Sequence, residues 1–402
     1  MSKSESSRIK LSQSRISEKV SALPPSGIRK FFDLLSSMEG VISLGVGEPD
    51  FVTPWYIREA AIYSLEKGYT MYTSNKGTPE LRAALSKDLE SRYGLTYDPD
   101  DEILITVGVS EGLDLAARAI LNPGDEVIMP DPCYVAYPAA ISLAGGIPVQ
   151  VSTSVENDFE ITADDIESRI TQRTKAILIG YPCNPTGAVL PKEELTKIAE
   201  LAKRYNLLVI SDEVYCRLVY GVEHTCLATL PGMRERTILL NGFSKAYAMT
   251  GWRLGYAAGP ADIIAVMGKI HQHTMLSPSS ISQKAALQAL KSGDDDVKRM
   301  VAEYDKRRRV MFKGMNEIGL ECHEPRGAFY VFPSVKVTGM TSDEFTEKLL
   351  LEEKVIVLPG NLFGKQGEGF VRCAYATSMS DIEEALRRMA RFVERHRIKA
   401  QP

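Results

Sequence analysis

The sequence predicts an α/β protein with a large, mostly parallel sheet covered by helices, followed by a smaller α+β domain. Short runs of continuous apolar residues alternate with helical patterns through the middle of the chain. Strands that are apolar on both faces are typical of parallel sheets enclosed between helices. Towards the C-terminus the strand-like runs lie close together between two long helical patterns, which indicates a separate unit.

Composition and charge exclude several classes of protein. The chain has 402 residues, more than one ordinary domain. It carries 48 Lys and Arg against 52 Asp and Glu, a net charge of −4, so we expect neither nucleic acid nor a membrane surface as a partner. No apolar run approaches the roughly 18 residues that span a bilayer, and the polar N-terminal segment does not resemble a signal peptide.

The cysteines indicate the cellular compartment. The six cysteines are widely spaced, and none forms a Cys-x-x-Cys pair with another. We therefore expect free thiols in a reducing cytoplasm, with no zinc site or other metal centre built from them.

Five buried strands are predicted in the middle of the chain, each a short apolar run. They cover residues 103–107, 126–130, 176–180, 207–211 and 237–241. Helices are expected directly after Gly108 and at residues 192–205, because apolar residues recur there every three or four positions. Strands separated by helices in this way predict parallel pairing.

The sequence predicts a division of the chain into three parts. An N-terminal arm and part of the small domain occupy residues 1–48, a large domain residues 49–290 and the C-terminal small domain residues 291–402. A polar segment at residues 291–296 marks the second boundary. Further helices are expected at residues 30–38 and 297–318, and further strands at residues 328–333, 355–359 and 370–374. Ser380 and Glu383 predict a capping box at the start of the last helix.

Polar side chains follow each predicted strand of the large sheet. Ligands of open parallel sheets bind beyond the carboxyl ends of the strands, where these side chains are expected to meet. Val109 and Ser110 begin a helix, and its free N–H groups and positive dipole end favour a phosphate. The later strands are followed in turn by Tyr134, by Asn184, by Asp212 with Tyr215, and by Ser244 with Lys245. Each alone is commonly a turn, a cap or a solvated side chain, so their convergence is what indicates a site.

Together these groups suit chemistry on an aldehyde cofactor with a pyridine ring. The amine of Lys245 can form a Schiff base with an aldehyde. The carboxylate of Asp212 can keep a pyridine nitrogen protonated, so that the ring withdraws electrons. Asn184 and Tyr215 can hydrogen-bond a ring oxygen, and Tyr134 can stack on the ring.

Six motifs resemble those of the class I and II aminotransferases, which are pyridoxal 5′-phosphate enzymes of fold type I. The most specific is SKAYAMTGWRLG at residues 244–255, which is similar to the lysine signature of that family. The others are residues 44–51, Tyr72 with residues 77–82, residues 184–187, residues 211–215 and residues 371–377. They follow the family's order along nearly the whole chain.

The resemblance implies roles at the cofactor ring. Lys245 would hold the cofactor covalently and later move a proton between the substrate Cα and the cofactor. Asp212 would pair with the pyridine nitrogen. Asn184 and Tyr215 would bond the ring oxygen, and Tyr134 would stack on the ring.

The resemblance also implies roles at the two anionic ends of the site. Ser244, Arg253 and the amides of Val109 and Ser110 would hold the cofactor phosphate. Tyr72 would reach the phosphate of a neighbouring subunit, which implies a homodimer with shared active sites. Arg372 would bind the substrate α-carboxylate as a bidentate fork, aided by Asn184 and the backbone of Gly47.

Within the family, the chain most resembles the aromatic-amino-acid and broad-range aminotransferases, with aspartate aminotransferases as close relatives. We therefore expect transfer from an aromatic or other L-amino acid to a 2-oxo acid, with 2-oxoglutarate as the common acceptor. Aspartate-preferring members often carry a Lys where this chain has Ser110. With Ile28 and Phe32 as an apolar surface, we expect phenylalanine or tyrosine to be a better donor than aspartate.

Other functions remain as alternatives. An aspartate-type aminotransferase, or a lyase or decarboxylase on the same fold, would use the same Lys245, and the product separates the lyase from the transferase. A ligand-sensing regulator would need a DNA-binding segment, for which the chain leaves no room. A nicotinamide-dependent dehydrogenase is excluded because no Gly-x-Gly-x-x-Gly follows the first predicted strand.

Overall fold

The computed structural model describes residues 16–23 and 40–398. The helix predicted at residues 30–38 lies outside these residues, as do Ile28 and Phe32. Within the described ranges, no helix combines the length and the apolar character that crossing a membrane requires.

Strands and helices alternate through most of the described chain. The strands are β1 Ile42–Ser43, β2 Ile103–Thr106, β3 Glu126–Asp131, β4 Ile147–Ser152, β5 Thr174–Ile179, β6 Leu208–Asp212, β7 Thr237–Gly242, β8 Gly255–Ala258, β9 Tyr330–Val331, β10 Val355–Ile356, β11 Leu358–Pro359 and β12 Val371–Ala374. The helices are α1 Glu18–Ser21, α2 Trp55–Glu66, α3 Pro79–Tyr93, α4 Gly108–Ile120, α5 Ala136–Leu143, α6 Ala163–Glu167, α7 Lys192–Arg204, α8 Ala261–Thr274, α9 Ser280–Ser292, α10 Asp294–Glu317, α11 Ser342–Glu353 and α12 Met379–His396.

A seven-stranded sheet carries the site. Its strand order is β2-β8-β7-β6-β5-β3-β4. Strand β8 pairs antiparallel with β2 and β7, and the other neighbouring strands pair in parallel. The prediction of a mostly parallel sheet is therefore confirmed, and the five predicted strands are present with ends shifted by at most two residues.

Apolar burial on both faces explains why these strands form a central sheet. Strand β2 is buried along its whole length, and so is β3. Helix α4 covers one face with Leu113 and Ala116, while α7 covers part of the sheet with Leu195 and Ile198. Because each helix follows a strand and returns over the sheet, the carboxyl ends of the parallel strands lie at one edge.

Two smaller sheets involve the C-terminal third of the chain. Strands β11, β12 and β9 form an antiparallel sheet in that order. Strand β1 pairs in parallel with β10, which joins an N-terminal segment to the C-terminal strands. Helix α9 ends at Ser292 and α10 begins at Asp294, close to the predicted boundary at residue 290. The division into domains remains a prediction.

The last helix begins differently from the sequence prediction. Ser378 is its N-cap, and the Ser378 side chain accepts a hydrogen bond from the Asp381 N–H. The predicted capping box of Ser380 and Glu383 is wrong. Ser380 lies within the first turn, and its hydroxyl contacts the Ser378 hydroxyl at 2.9 Å, because the chain turns helical two residues earlier than the pattern indicated.

Candidate active site

The carboxyl edge of the large sheet opens on a cavity of about 400 Å³, a volume within the usual range of ligand sites. The predicted site residues that line it are Gly47, Val109, Ser110, Tyr134, Asn184, Asp212, Tyr215, Ser244, Lys245, Arg253 and Arg372. Tyr72 does not line this cavity and is 84% exposed. One chain therefore brings together every predicted site residue except Tyr72.

Lys245 follows strand β7 and points its amine into the cavity. Its Nζ donates to the carbonyl oxygen of Gly47 at 2.6 Å. Burial, together with the charge of Arg372, lowers the pKa of Lys245 to about 8. A larger fraction of this amine is therefore uncharged near neutral pH than for an exposed lysine, as a nucleophile requires.

Asp212 is the last residue of strand β6, and its carboxylate is buried beside the cavity. Oδ2 accepts from the Tyr137 hydroxyl at 2.8 Å, and Oδ1 accepts from the Val214 N–H at 3.2 Å. Burial raises the pKa of Asp212 to about 6 in spite of these donors, and nearby Glu213 adds to the rise. A cationic group in the cavity would lower that pKa and stabilise the carboxylate.

Arg372 lies on β12 and lines the same cavity. Its Nη1 donates to Asn184 Oδ1 at 2.8 Å, and its Nη2 donates to the Gly45 carbonyl at 2.7 Å. The guanidinium lies 4.4 Å from the ring centre of Tyr330 and 4.9 Å from that of Phe363. Its buried Nε has no partner among the described residues. The Arg372 guanidinium is thus held in a fixed plane, and its Nε–H remains available as a hydrogen-bond donor.

The start of helix α4 forms a third part of the cavity. A Cβ atom on Gly108, which has φ +74°, would lie 2.6 Å from Nη2 of Arg253, so the guanidinium packs against a bare backbone. Arg253 also donates from Nη1 to the Thr250 carbonyl at 3.2 Å. The first-turn amides of Val109 and Ser110 together with a guanidinium are a suitable site for a phosphate.

Two tyrosines of the cavity were missed by sequence reasoning. Tyr137 packs edge-on against Tyr134, with ring centres 5.6 Å apart, and donates to Asp212. Tyr330 bonds the Tyr215 hydroxyl through its own hydroxyl at 2.7 Å. Tyr137 lies three residues after Tyr134, in the first turn of α5, and this short separation was a usable signal. Tyr330 had none, because an aromatic residue inside an apolar strand predicts core packing.

Comparison with known proteins adds the family. Residues 39–389 match the family model for aminotransferase class I and II. The chain belongs to this family. It is 46% identical to the aspartate aminotransferase of Pyrococcus abyssi over 95% of this chain and 99% of that protein. It is 44% identical to aromatic-amino-acid aminotransferase 2 of Thermococcus litoralis, over the same shares.

A solved structure agrees with the fold. The crystal structure of an aromatic aminotransferase from Pyrococcus horikoshii has a TM-score of 0.87 and 45% identity to this chain, and covers 91% of this chain and 99% of that one. The predicted fold type I architecture and the predicted family are confirmed. This aminotransferase moves an amino group between an amino acid and a 2-oxo acid, and like its family it depends on pyridoxal 5′-phosphate.

The cavity fits that cofactor by its own chemistry. The amine of Lys245, with its lowered pKa, suits an aldehyde. The buried Asp212 carboxylate suits a protonated pyridine nitrogen. The bare helix start at Gly108 beside Arg253 suits a phosphate.

Proposed function

We propose that this aminotransferase uses an aromatic L-amino acid as donor and 2-oxoglutarate as acceptor. One observation supports the aromatic donor. Among the described residues, the cations that line the cavity are Lys245, Arg253 and Arg372. In this assignment they hold the cofactor aldehyde, the phosphate and the α-carboxylate, so none of the described cations remains for aspartate's second carboxylate. Burying an unpaired carboxylate costs several kcal/mol, whereas an apolar ring gains about 25 cal/mol per Å² buried.

The acceptor must be accommodated in the same cavity. The second carboxylate of 2-oxoglutarate needs a cation that the described cavity does not supply. Arg29 and Lys30 lie outside the described residues and are the candidates for this contact. For an aromatic donor to be preferred, this contact must reach the distal carboxylate of 2-oxoglutarate but not the carboxylate of the shorter aspartate side chain.

The roles at the reacting end follow from the contacts of Lys245 and Asp212. The cofactor supplies an aldehyde that takes the amino group and a ring that withdraws electrons from the substrate. Lys245 Nζ would hold that aldehyde until the amino group of the substrate displaces it, and the freed amine would then accept the proton from the substrate Cα. Asp212 holds a negative charge opposite the ring nitrogen, and its partner Tyr137 keeps the carboxylate oriented.

The remaining side chains orient the two molecules. Asn184 accepts from Arg372 through Oδ1, which leaves its amide N–H groups to donate to the ring oxygen together with Tyr215. Tyr134 covers the ring, while Ser244, Arg253 and the amides of Val109 and Ser110 hold the phosphate. Arg372 and the backbone of Gly47 bind the substrate carboxylate.

We also propose a homodimer with shared active sites, located in the cytoplasm. Tyr72 is exposed in this chain, and helix α2, which precedes it in sequence, carries further exposed apolar side chains, among them Trp55, Tyr63 and Leu65. A large apolar patch on a protein surface commonly marks an association site. A second copy of the chain would cover the patch and place Tyr72 at the partner's phosphate. Six cysteines without a disulfide agree with a reducing compartment.

A half-reaction panel tests the substrate proposal. Each amino acid is mixed with the holoenzyme, and the loss of the bound cofactor's absorption gives kcat/KM for that donor. We expect phenylalanine or tyrosine to exceed aspartate. Aspartate leading phenylalanine tenfold, about 1.4 kcal/mol, would overturn the proposal and indicate an aspartate-type enzyme, as in the relative from Pyrococcus abyssi. In the control Arg372→Leu all donors should weaken together, because every amino acid shares the α-carboxylate.

A further inference from the structure

Tyr330 contacts two residues of the site, Tyr215 and Arg372, although neither the sequence motifs nor the proposed roles use it. The residue lies on β9 opposite Ala374 of β12, two positions beyond Arg372. Its side chain is 1% exposed and lines the cavity. Its hydroxyl group meets Tyr215, and its ring meets Arg372.

The hydroxyl contact bears on the direction of the Tyr215 proton. The two phenol oxygens are 2.7 Å apart, and each phenol has one hydrogen to donate. Burial raises the pKa of both phenols, so both stay protonated. If Tyr330 donates to the Tyr215 oxygen, the Tyr215 hydrogen is free to point into the cavity. Tyr215 is the residue proposed to donate to the cofactor ring oxygen.

The ring contact bears on Arg372. The guanidinium carbon lies 4.4 Å from the Tyr330 ring centre, and the Phe363 ring lies beyond it at 4.9 Å. A cation held against an aromatic face is attracted by the negative charge of that face. The ring of Tyr330 therefore limits the tilt of the guanidinium plane that would receive the carboxylate.

A third contact of Tyr330 is with the loop that contains Gly45 and Gly47. A Cβ atom on Gly47 would lie 2.6 Å from the Tyr330 hydroxyl oxygen, so the bare Gly47 backbone passes directly over that hydroxyl. The same loop accepts hydrogen bonds from Lys245 at Gly47 and from Arg372 at Gly45. Tyr330 thus touches the loop that the two principal cations of the site share.

We infer that Tyr330 is a positioning residue with two separable functions: its hydroxyl group orients Tyr215 towards the cofactor, and its ring orients Arg372 towards the substrate carboxylate. The inference rests on the proposed roles of Tyr215 and Arg372. Because the two functions belong to different atoms, Tyr330→Phe removes the first and Tyr330→Leu removes both.

The first test is a pH titration of the bound cofactor's absorption in the holoenzyme. In Tyr330→Phe the ring oxygen receives a weaker hydrogen bond and holds its shared proton more tightly. The midpoint of the absorption change should therefore rise by about half a pH unit or more, with KM for the donor within about twofold of wild type. The control is Tyr375→Phe, which removes a buried hydroxyl that bonds the Ala328 carbonyl outside the cavity.

The second test measures carboxylate binding without turnover. The dissociation constants of 3-phenylpropionate and maleate are measured by their effect on the same absorption, and the tighter ligand is used. Tyr330→Leu should weaken it by about tenfold, about 1.4 kcal/mol, while Tyr330→Phe should bind it as wild type does.

Three results separate the possible failures. An unchanged midpoint in Tyr330→Phe overturns the inference if Tyr215→Phe shifts the midpoint, since Tyr215 then acts without Tyr330. If Tyr215→Phe also leaves the midpoint unchanged, the proposed role of Tyr215 fails first. Normal carboxylate binding by Tyr330→Leu overturns the second function, provided that Arg372→Leu weakens the same ligand. Should Tyr330→Leu not fold, Tyr330→Phe still decides the hydroxyl function.

Discussion

The hydroxyl group of Tyr137 donates to Oδ2 of Asp212 at 2.8 Å, and both side chains are buried. This bond stabilises the charged form of a carboxylate whose pKa burial has already raised to about 6. In Tyr137→Phe the pKa of Asp212 should rise further. We expect kcat to fall roughly tenfold, the usual size for a lost hydrogen bond to a charged group.

The same variant should bind the cofactor more weakly, and the loss should be larger at pH 6 than at pH 8, since fewer Asp212 side chains are ionised at pH 6. Cofactor titration of the apoprotein at the two pH values measures this. The matched control is Tyr181→Phe, a buried tyrosine whose hydroxyl bonds the Phe159 carbonyl away from the cavity. Equal losses in the two variants would mean that Tyr137 only supports the fold.

Asp212→Asn should lose activity and gain stability. An amide cannot supply the charge opposite the ring nitrogen, so we expect kcat to fall on the order of 10³-fold. The native pKa of Asp212 lies above its ordinary value of 3.8, so the native apoprotein holds this proton more tightly than the unfolded chain does. The free energy of unfolding therefore falls as pH rises from 3.8 to about 6 and stays lowered above it.

Removing that charge should increase the free energy of unfolding of the apoprotein at pH 7.5 by at most about 3 kcal/mol. The thermal midpoint of the variant should therefore lie above that of wild type. At pH 5 wild-type Asp212 is largely protonated, so the advantage of the variant should shrink. Thermal unfolding of both apoproteins at both pH values is the measurement. A variant that is less stable at pH 7.5 would contradict the assigned burial cost.

Lys245→Ala should lose both the covalent link to the cofactor and turnover. Borohydride reduction of the wild-type holoenzyme followed by peptide mapping should label Lys245, because among the described lysines it lines the cavity and has a lowered pKa. Lys197→Ala serves as the control, since that exposed lysine pairs with Glu194 on the surface. A label on any other lysine would refute the assignment.

Tyr72 should act across a subunit interface. It is exposed in this chain, in the segment between α2 and α3. If Tyr72→Phe is impaired, mixing it with Lys245→Ala should partly restore activity, because hybrid dimers contain one site with both native residues. Each variant mixed with itself gives the baseline. No recovery after subunit exchange has been verified would show that the site is built within one chain.

The large sheet was predictable where strands are fully buried, because a continuous apolar run is a local signal. Strands β4 and β8 were not predicted. Strand β4 is an edge strand with Pro148 and half-exposed residues, so its pattern is weak. Strand β8, Gly-Tyr-Ala-Ala, contains few good strand formers. Its Gly255 is required because a Cβ there would lie 2.7 Å from the backbone of Gly108, a contact that no local pattern encodes.

The residues of the site likewise include some that the sequence predicted and some that it did not. Asp212 and Lys245 were predictable because each follows a recognisable strand, and strand ends share one edge. Tyr330 reaches the cavity because β9 pairs with β12. In this pairing Tyr330 lies opposite Ala374, which is 44 positions later in the sequence. That pairing depends on packing between distant segments. In the proposed homodimer the place of Tyr72 depends on a second chain, so the sequence of one chain gives only the resemblance.

The anchoring of reactive groups at the sheet edge also has a consequence for how such enzymes diverge. Asp212 ends a central strand that is paired along its length, and Lys245 follows shortly after the end of the neighbouring strand, so the buried pairing of these two strands sets the place of both residues. From the sequence, the substrate side chain is instead expected to meet residues outside these strands, such as Ile28 and Phe32. Mutations there can accumulate without moving the amine or the carboxylate. A lineage with this architecture can therefore exchange one amino-acid substrate for another by drift at a few positions outside these strands, while its chemistry stays under separate selection.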